Sequence, residues 1–312
     1  MHKEIATRDA YGKALVEIGS DERIVVMDAD LSGSTRTALF GESYPERFYN
    51  MGIAEANMMS VAAGIASCGK VVFASTFAMF ASGRAFEQIR NSICYPRLDV
   101  KIGATHSGIT VGEDGASHQT VEDIALMRVI PHMTVISPAD AVEARLATIA
   151  AYKTPGPFYL RLTRLAVPVI FQEDDYKFEL GKGVTIKEGS DISLIATGLM
   201  VSKAMEAAKI LKERGINARL INIHTIKPID KDIIIQAAIE TGAIVTCEEH
   251  SIIGGLAGAV AEVLVRNCPV PVGMVGVDDK FGKSGKPDAL LKMYGLTPSD
   301  IVDTAMEVLK RK

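Results

Sequence analysis

The sequence of 312 residues lacks several features that would narrow its class at once. It has no tryptophan, and its four cysteines, Cys68, Cys94, Cys247 and Cys268, show no CxxC spacing. That pattern argues against a zinc site or a disulfide framework and indicates reduced thiols. No apolar run is long enough to cross a bilayer, and the first residues lack the apolar core of a signal peptide. We therefore expect a cytoplasmic protein with no membrane partner.

The chain also lacks an excess of basic residues and the common hydrolase and nucleotide motifs. Its formal net charge is −4, which gives no reason to expect nucleic acid or an anionic membrane as a partner. Neither a G-x-S-x-G nucleophile elbow nor a Walker motif occurs. The chain does have 48% hydrophobic and 23% charged residues, which is typical of a soluble globular protein of about two domains.

Short apolar runs alternate with helical patterns along most of the chain. The pattern predicts strands over 24–28, 71–75, 98–103, 134–137 and 158–162, and helices over 4–19, 83–94, 120–129 and 139–151. A second set has strands over 192–197, 218–223, 243–249 and 272–277, and helices over 199–214, 230–240 and 255–266. Such alternation is typical of parallel βαβ units.

Between the two sets the pattern breaks into proline and charge, which predicts a linker over 166–190. The expected fold is therefore α/β: two layered domains with mainly parallel sheets, at 1–165 and 191–312. In open parallel sheets, ligands bind beyond the carboxyl ends of the strands. The polar turns that follow predicted strands lie at 30–34, 75–80 and 105–118, so we expect the chemistry there.

The stretch 48–69 contains a single charged side chain, Glu55, among mostly apolar residues. A carboxylate buried in such surroundings is costly unless another group pairs with it. One interpretation is a carboxylate stabilised at a helix N-terminus, and the other is a functional acid.

The loop 104–119 holds His106, Glu113, Asp114 and His118 among several glycines. The spacing matches no metal motif, so acid–base work and the binding of hydroxyl or phosphate groups are the more natural roles. Phe77 and Phe80 follow a strand and are either plain core or a surface on which an aromatic ring can stack.

Six motifs in order resemble the thiamine diphosphate-dependent transketolase family, in its C-terminal half. They are ATR (6–8), DADLSGS (28–34), NMGIAEANM (50–58), ASTFAMF (74–80), GEDGASHQ (112–119) and LTR (162–164). The resemblance implies a pyrimidine-binding domain followed by the family's C-terminal domain. It also implies thiamine diphosphate as cofactor, which does the difficult chemical step.

The resemblance also implies roles for individual residues. Glu55 would bind N1′ of the cofactor's aminopyrimidine and so promote formation of the ylid. The two residues expected to be catalytic are Glu55 and His118. Phe80 would stack on the pyrimidine with Phe77 beside it, and Asp30 would lie near the thiazolium. The donor substrate would be bound by two groups of residues: Asp114 and His118 on its hydroxyl and carbonyl oxygens, and Arg8, Ser34, His106 and Arg164 on its phosphate.

Two departures from the family pattern matter. A third aromatic residue is expected near position 83, where this chain has Gly83. The family's GDG element for the diphosphate and its Mg²⁺, with paired Asn some thirty residues later, is absent from the sequence. The resemblance therefore implies an N-terminal partner subunit that carries the diphosphate and Mg²⁺ site, and a heteromer of two plus two chains.

The expected activity is transfer of a two-carbon ketol unit from a ketose phosphate to an aldose phosphate. One alternative is an enzyme like 1-deoxyxylulose-5-phosphate synthase, although that is a single longer chain. Another is a β subunit of a 2-oxo acid dehydrogenase E1, which would act on simple 2-oxo acids. The alternative outside enzymology is a regulatory or scaffolding subunit, which the presence of Glu55, Phe80, Asp114 and His118 disfavours.

Overall fold

The computed structural model describes residues 3–312, which form two large sheets, each covered by helices on both faces. The strands are β1 (Glu4–Ala6), β2 (Ile24–Asp28), β3 (Phe48–Asn50), β4 (Val71–Phe77), β5 (Val100–Thr105), β6 (Thr134–Ile136), β7 (Phe158–Arg161), β8 (Ala166–Pro168), β9 (Val184–Lys187), β10 (Ile192–Ala196), β11 (Ala218–Asn222), β12 (Thr225–Lys227), β13 (Ile244–Ser251) and β14 (Val272–Val277).

The helices lie between these strands and after the last one. They are α1 (Thr7–Ile18), α2 (Ser32–Thr35), α3 (Ala38–Ser43), α4 (Glu55–Ser67), α5 (Phe86–Gln88), α6 (Asp123–Arg128), α7 (Ala141–Lys153), α8 (Met200–Glu213), α9 (Lys231–Thr241), α10 (Leu256–Asn267), α11 (Pro287–Met293) and α12 (Pro298–Leu309). Short π-helical segments span Phe80–Arg84 and Ile89–Cys94. In the described part of the chain, no helix is long and apolar enough to span a bilayer.

The first sheet has seven strands in the order β12-β6-β7-β5-β4-β2-β3, and only the pairing of β12 with β6 is antiparallel. The second sheet has the order β14-β13-β10-β11-β9, and only β9 is antiparallel. Strands such as β2 and β10 are buried along their whole length because helices cover both faces, which explains their continuous apolar sequence. The predicted α/β class with two mainly parallel sheets is confirmed.

The stretch 166–190 contains two short strands that join parts distant in sequence. β8 pairs with β1 near the start of the chain, and β9 forms the edge of the second sheet beside β11. β12 then returns to the first sheet and pairs with β6. The predicted boundaries at 165 and 191 stay a prediction.

Two predicted helices differ from those found. The helix expected over 4–19 begins at Thr7, because residues 4–6 are drawn into pairing with β8. The helix expected over 83–94 is replaced by two π-helical segments on either side of α5. Apolar periodicity does not distinguish α- from π-helical hydrogen bonding, so this change was not visible in the sequence.

The seven-stranded sheet brings six turns to one edge. The strands β2 to β7 run parallel, so the segments that follow them all leave at the same edge. β3, the next strand in sequence after β2, pairs with one edge of β2, and β4 pairs with its other edge. Such a reversal opens a crevice in which doubly wound sheets bind ligands.

Candidate functional site

At this edge of the sheet lies a cavity of about 270 Å³. Four of the predicted site residues line it, together with four residues that the sequence did not single out. The predicted ones are Asp30, Glu55, Phe80 and His118, and the others are Ala29, Leu31, Ile53 and Arg84. Segments more than sixty residues apart in sequence therefore converge on one cavity.

Asp28, the last residue of β2, shapes the turn that forms one wall of this cavity. Its carboxylate accepts hydrogen bonds from the Leu31 amide (2.6 Å) and from the hydroxyls of Thr35 (2.6 Å) and Thr37 (2.8 Å). Burial raises the pKa of this carboxyl, and the three donors oppose that shift. The turn is thereby fixed, and Asp30 faces the cavity with its side chain bonded to the amide of Asn50 at 3.0 Å.

Two residues of the site that are not glycine adopt left-handed backbone conformations. Asp30 has φ 65° and His106 has φ 57°. Such conformations are costly for residues with a Cβ atom and cluster at functional sites, where the surrounding structure enforces them.

Glu55 is the first residue of α4 and is only 4% exposed. Its carboxylate accepts hydrogen bonds from Arg84 Nη1, at 3.2 Å to Oε1 and 3.4 Å to Oε2. Glu55 begins a helix, as the first interpretation expects, and it also has a charged partner, while its role as a functional acid stays a prediction. The Arg84 side chain is 54% exposed, so the pair lies at the mouth of the cavity.

Phe80 offers its ring to the cavity, whereas Phe77 does not. The Arg84 guanidinium lies 4.3 Å from the centroid of the Phe80 ring, and His118 meets that ring edge-on at 5.4 Å. Phe77 is 6% exposed and stacks on His106, with ring centroids 3.8 Å apart. Phe77 supports the wall behind Phe80, with their rings 5.9 Å apart.

Arg8, Ser34 and His106 form one connected group beside the cavity. Arg8 Nη1 donates to the Ser34 carbonyl at 2.9 Å and lies 3.0 Å from His106 Nε2. A guanidinium cannot accept a hydrogen bond, so Nε2 must be the acceptor and the His106 proton must lie on Nδ1, which faces Thr105 Oγ1 at 2.9 Å. Burial, followed by the charge of Arg8, lowers the pKa of His106 to about 3, so this imidazole is neutral at physiological pH.

The same group carries uncompensated positive charge. Burial lowers the pKa of Arg8, and the charges of Arg36 and Arg164 add to this effect while Asp9 opposes it. Within residues 3–312, no carboxylate lies within ion-pair distance of Arg8, and its Nε has no hydrogen-bond partner. Arg164 donates to the Val111 carbonyl at 2.6 Å and lies 3.5 Å from Glu113. Guanidinium groups of this kind are suited to an anionic group such as phosphate.

The loop after β5 places its predicted residues differently. His118 lines the cavity and contacts Ser117 Oγ through Nδ1 at 3.0 Å. Asp114 lies in a short 3₁₀ turn, is exposed, and does not line the cavity. In the part of the chain that the structure describes, no group of His, Cys, Asp and Glu side chains is arranged to hold a metal ion.

Sequence reasoning missed Arg84, which contacts both Glu55 and Phe80. The signal was its position four residues after Phe80, which places two side chains on the same side of a helical turn. The predicted helix began at Gly83, so this spacing was not considered. The Cβ that Gly83 lacks would meet only the Met79 side chain, and the residue is exposed.

Comparisons with known proteins agree with this geometry. Residues 3–169 match the family model described as transketolase, pyrimidine binding domain, and residues 181–301 match that described as transketolase, C-terminal domain. All the cavity residues fall within the first match.

Two relatives and one solved structure cover nearly the whole chain. A putative transketolase C-terminal section from Methanocaldococcus jannaschii is 52% identical, over 98% of this chain and 96% of the relative. A 6-deoxy-6-sulfo-D-fructose transketolase subunit from Clostridium sp. is 44% identical, over 98% and 95%. A structure described as a split gene transketolase, inactive beta4 tetramer, matches with a TM-score of 0.92 and 55% identity, over 99% of both chains. The chain therefore belongs to the transketolase family, as a subunit of the split-gene kind.

Proposed function

We propose that this chain is the C-terminal subunit of a two-chain transketolase that transfers a two-carbon ketol unit from a ketose phosphate to an aldose phosphate. The observation that carries the proposal is the union of two features in one crevice. Glu55 and Phe80 give the cavity a buried carboxylate and a partly exposed aromatic ring. Arg8 and Arg164 lie beside it, and among residues 3–312 no carboxylate is within ion-pair distance of Arg8.

The cavity residues fit the aminopyrimidine end of thiamine diphosphate, the cofactor that family membership implies. Glu55 is a buried hydrogen-bonding group at the cavity and Phe80 offers a ring for stacking. Asp30 lines the same cavity and would lie near the thiazolium. When bound, this cofactor supplies a carbon nucleophile that carries the ketol unit. Glu55 would share a proton with the pyrimidine ring nitrogen and hold the ring in position, a role that suits a carboxylate kept from water.

The arginine group would bind the phosphate of the sugar. Arg8 and Arg164 would supply charge and the hydroxyl of Ser34 a hydrogen bond. His106 would act beside them by accepting from Arg8 through Nε2, which orients that guanidinium toward the phosphate. His118, at the cavity, would bond to the donor oxygen near the reacting carbon, and Asp114 to a hydroxyl of the sugar. Asp114 is exposed and does not line the cavity itself.

A partner chain would complete the site. The sequence holds no GDG element for the diphosphate, so we propose that an N-terminal subunit supplies that element and Mg²⁺, in an assembly of two plus two chains. Ile53, which lines the cavity and is 76% exposed, would then be covered by the partner.

The experiment combines this chain with its candidate N-terminal partner, thiamine diphosphate and Mg²⁺. We expect turnover of xylulose 5-phosphate with an aldose phosphate acceptor, and none from either chain alone. Full turnover by this chain alone would contradict the two-chain assignment. Release of CO₂ from pyruvate without ketol transfer would favour a 2-oxo acid dehydrogenase. Activity with a sulfonated sugar alone would indicate that the donor is a sulfo-sugar, as in the name of the Clostridium relative, and not a sugar phosphate.

Glu55→Gln tests the site itself, because it preserves shape but removes the acid. With the partner present, we expect this variant to bind the cofactor and to lose turnover by a factor of about 100 or more. Asn57→Asp, an exposed change two residues along α4, is the control and should retain turnover. Wild-type turnover in Glu55→Gln would overturn the Glu55 assignment.

A further inference from the structure

Two adjacent carboxylates near the end of β13, Glu248 and Glu249, are both almost fully buried but serve different parts of the molecule. Side chains of neighbouring strand residues point to opposite faces. Glu248 accepts from the amides of Leu256 (2.7 Å) and Ala257 (2.8 Å), so it holds the first turn of α10 within its own domain.

The Glu249 side chain contacts the loop that follows β5 of the seven-stranded sheet. Its Oε1 accepts a hydrogen bond from the Thr110 amide at 2.7 Å. Gly108, which has φ +77°, lies so close that a Cβ atom there would overlap the Glu249 carboxylate. Thr110 and Gly108 belong to the loop after β5, between His106 and His118.

The backbone of Glu249 is fixed by a buried arginine. Arg161, at the end of β7, donates through Nη2 to the Glu249 carbonyl at 2.9 Å and through Nε to Asp123 at 2.9 Å. Burial raises the pKa of Glu249, and the charge of Arg161 opposes that shift. The second oxygen of the carboxylate, Oε2, has no hydrogen-bond partner among residues 3–312. A buried carboxylate is costly, so its contact with the loop amide is a substantial part of what stabilises it.

The far end of the same loop is also tied to the five-stranded-sheet domain. Gln119 donates through Nε2 to the Lys283 carbonyl at 2.8 Å, and to two carbonyls of its own loop, Ile109 at 3.0 Å and Gly112 at 3.2 Å. The loop therefore rests on the other domain near its middle and near its end.

We propose that Glu249 is a positioning residue for the reaction: it fixes, through the Thr110 amide, the loop that places His106 and His118 at the cavity. Glu249 itself does not line the cavity, so it acts only through that loop. The proposal rests on the proposed function for the importance of the two histidines, and it gives the five-stranded-sheet domain a part in substrate binding.

The test compares three variants of the full chain. Glu249→Asp shortens the side chain by one methylene, so its carboxylate no longer reaches Thr110, whereas Glu249→Gln keeps a carbonyl oxygen in the same place. Glu248→Asp is the matched control, with the same shortening at a neighbouring buried carboxylate that does not contact the loop. Amide hydrogen exchange, followed by mass spectrometry of peptides from 104–119, reports on the loop without requiring turnover.

In Glu249→Asp we expect exchange in the loop to be about 10-fold faster or more, since a hydrogen bond to a charged acceptor is lost. Glu249→Gln should stay close to the wild type, and Glu248→Asp should speed exchange at the start of α10 only. With the partner chain, Glu249→Asp should lower kcat/KM for the sugar phosphate by about 100-fold, with KM for the cofactor unchanged.

The proposal is wrong if loop exchange in Glu249→Asp equals that of the wild type, or if Glu248→Asp loosens the loop equally. A purely structural role would lower the melting temperature and speed exchange throughout the five-stranded-sheet domain. If Glu249→Asp does not fold, Gly108→Ala disturbs the same contact from the loop side and should speed loop exchange likewise. Absence of wild-type turnover would count against the proposed function alone, since the exchange result is independent of it.

Discussion

Arg84 Nη1 lies within 3.4 Å of both carboxylate oxygens of Glu55, and the same guanidinium lies over the ring of Phe80. One cation therefore contacts the buried acid and the aromatic face together. A planar ligand that stacks on this face of Phe80 and bonds to Glu55 must displace Arg84. Such a displacement is open to Arg84, because its side chain is half exposed and can move toward solvent.

Removing this cation should destabilise the isolated chain. We expect Arg84→Ala to lower the free energy of unfolding at pH 7 by about 1 kcal/mol, a modest value because the arginine is half exposed. Urea denaturation measures it. Arg90→Ala, an exposed arginine in the next π-helical segment, is the control and should change little. In a Glu55→Gln background the cost of Arg84→Ala should shrink, and an unchanged cost would show that the two side chains are not coupled.

Replacing Phe77 should mainly lower the stability of the fold, whereas replacing Phe80 should mainly weaken cofactor binding. Phe77→Ala removes a buried ring and should lower the free energy of unfolding by about 3 kcal/mol. Phe80→Ala should cost less stability, because that ring is partly exposed, but should weaken cofactor binding about fivefold through lost stacking. Denaturation and the cofactor KM of the two-chain enzyme measure the two effects. Equal effects of both variants would contradict the placement of Phe80 as the ring that faces the ligand.

Arg164→Ala should act on the substrate phosphate. With the partner chain, we expect KM for a sugar phosphate to rise about 10-fold to 100-fold, because a charge-assisted hydrogen bond is lost, while the cofactor KM is unchanged. Arg8→Ala should behave in the same way. Arg145→Ala, which removes a half-exposed ion pair with Glu17 far from the cavity, serves as the control. If the KM for a non-phosphorylated donor rose equally, the phosphate role would be excluded.

The free energy of unfolding should fall in mild acid because His224 is buried. Burial lowers the pKa of His224 to about 4, whereas an unfolded histidine titrates near 6.5. Between those values the unfolded chain binds the extra proton, so the contribution of His224 is complete above pH 6.5 and is lost as the pH falls toward 4. His224→Gln should reduce the pH dependence of the free energy of unfolding by at most about 1.4 kcal/mol per pH unit in that window. Denaturation at several pH values tests this, and above pH 7.5 the two proteins should show the same slope.

Much of the fold was predictable because parallel strands buried on both faces have a continuous apolar sequence. β2 was found with the predicted bounds of 24–28, and β10 was found over 192–196 where 192–197 was predicted. Pairings between distant short segments were not predictable. β12 has three residues, and its partner β6 lies about ninety residues earlier, so no local pattern marks the pair.

The site was partly predictable for a similar reason. Glu55 stood out as one acid in an apolar stretch, and the polar turns after parallel strands do meet at one edge of the sheet. The family resemblance of the chain is confirmed by its relatives, while the roles of individual residues stay predictions. Arg84 was missed because the helical segment begins at Phe80, three residues before the predicted start, so its spacing from Phe80 fell outside the predicted helix. The contact of Glu249 with Thr110 spans 139 residues, which puts it beyond any reading of local sequence.

The pairing of β12 with the first sheet affects how the protein unfolds. Because β12 is an edge strand of the seven-stranded sheet but lies in sequence among the strands of the five-stranded sheet, the seven-stranded sheet takes strands from both sides of the stretch 166–190. A cut between β8 and β9 would leave two fragments that still hold each other through the pairing of β12 with β6, while β1 and β8 would both stay in the first fragment. The two halves should therefore melt as one cooperative unit, and a nicked chain should stay associated until that unit unfolds.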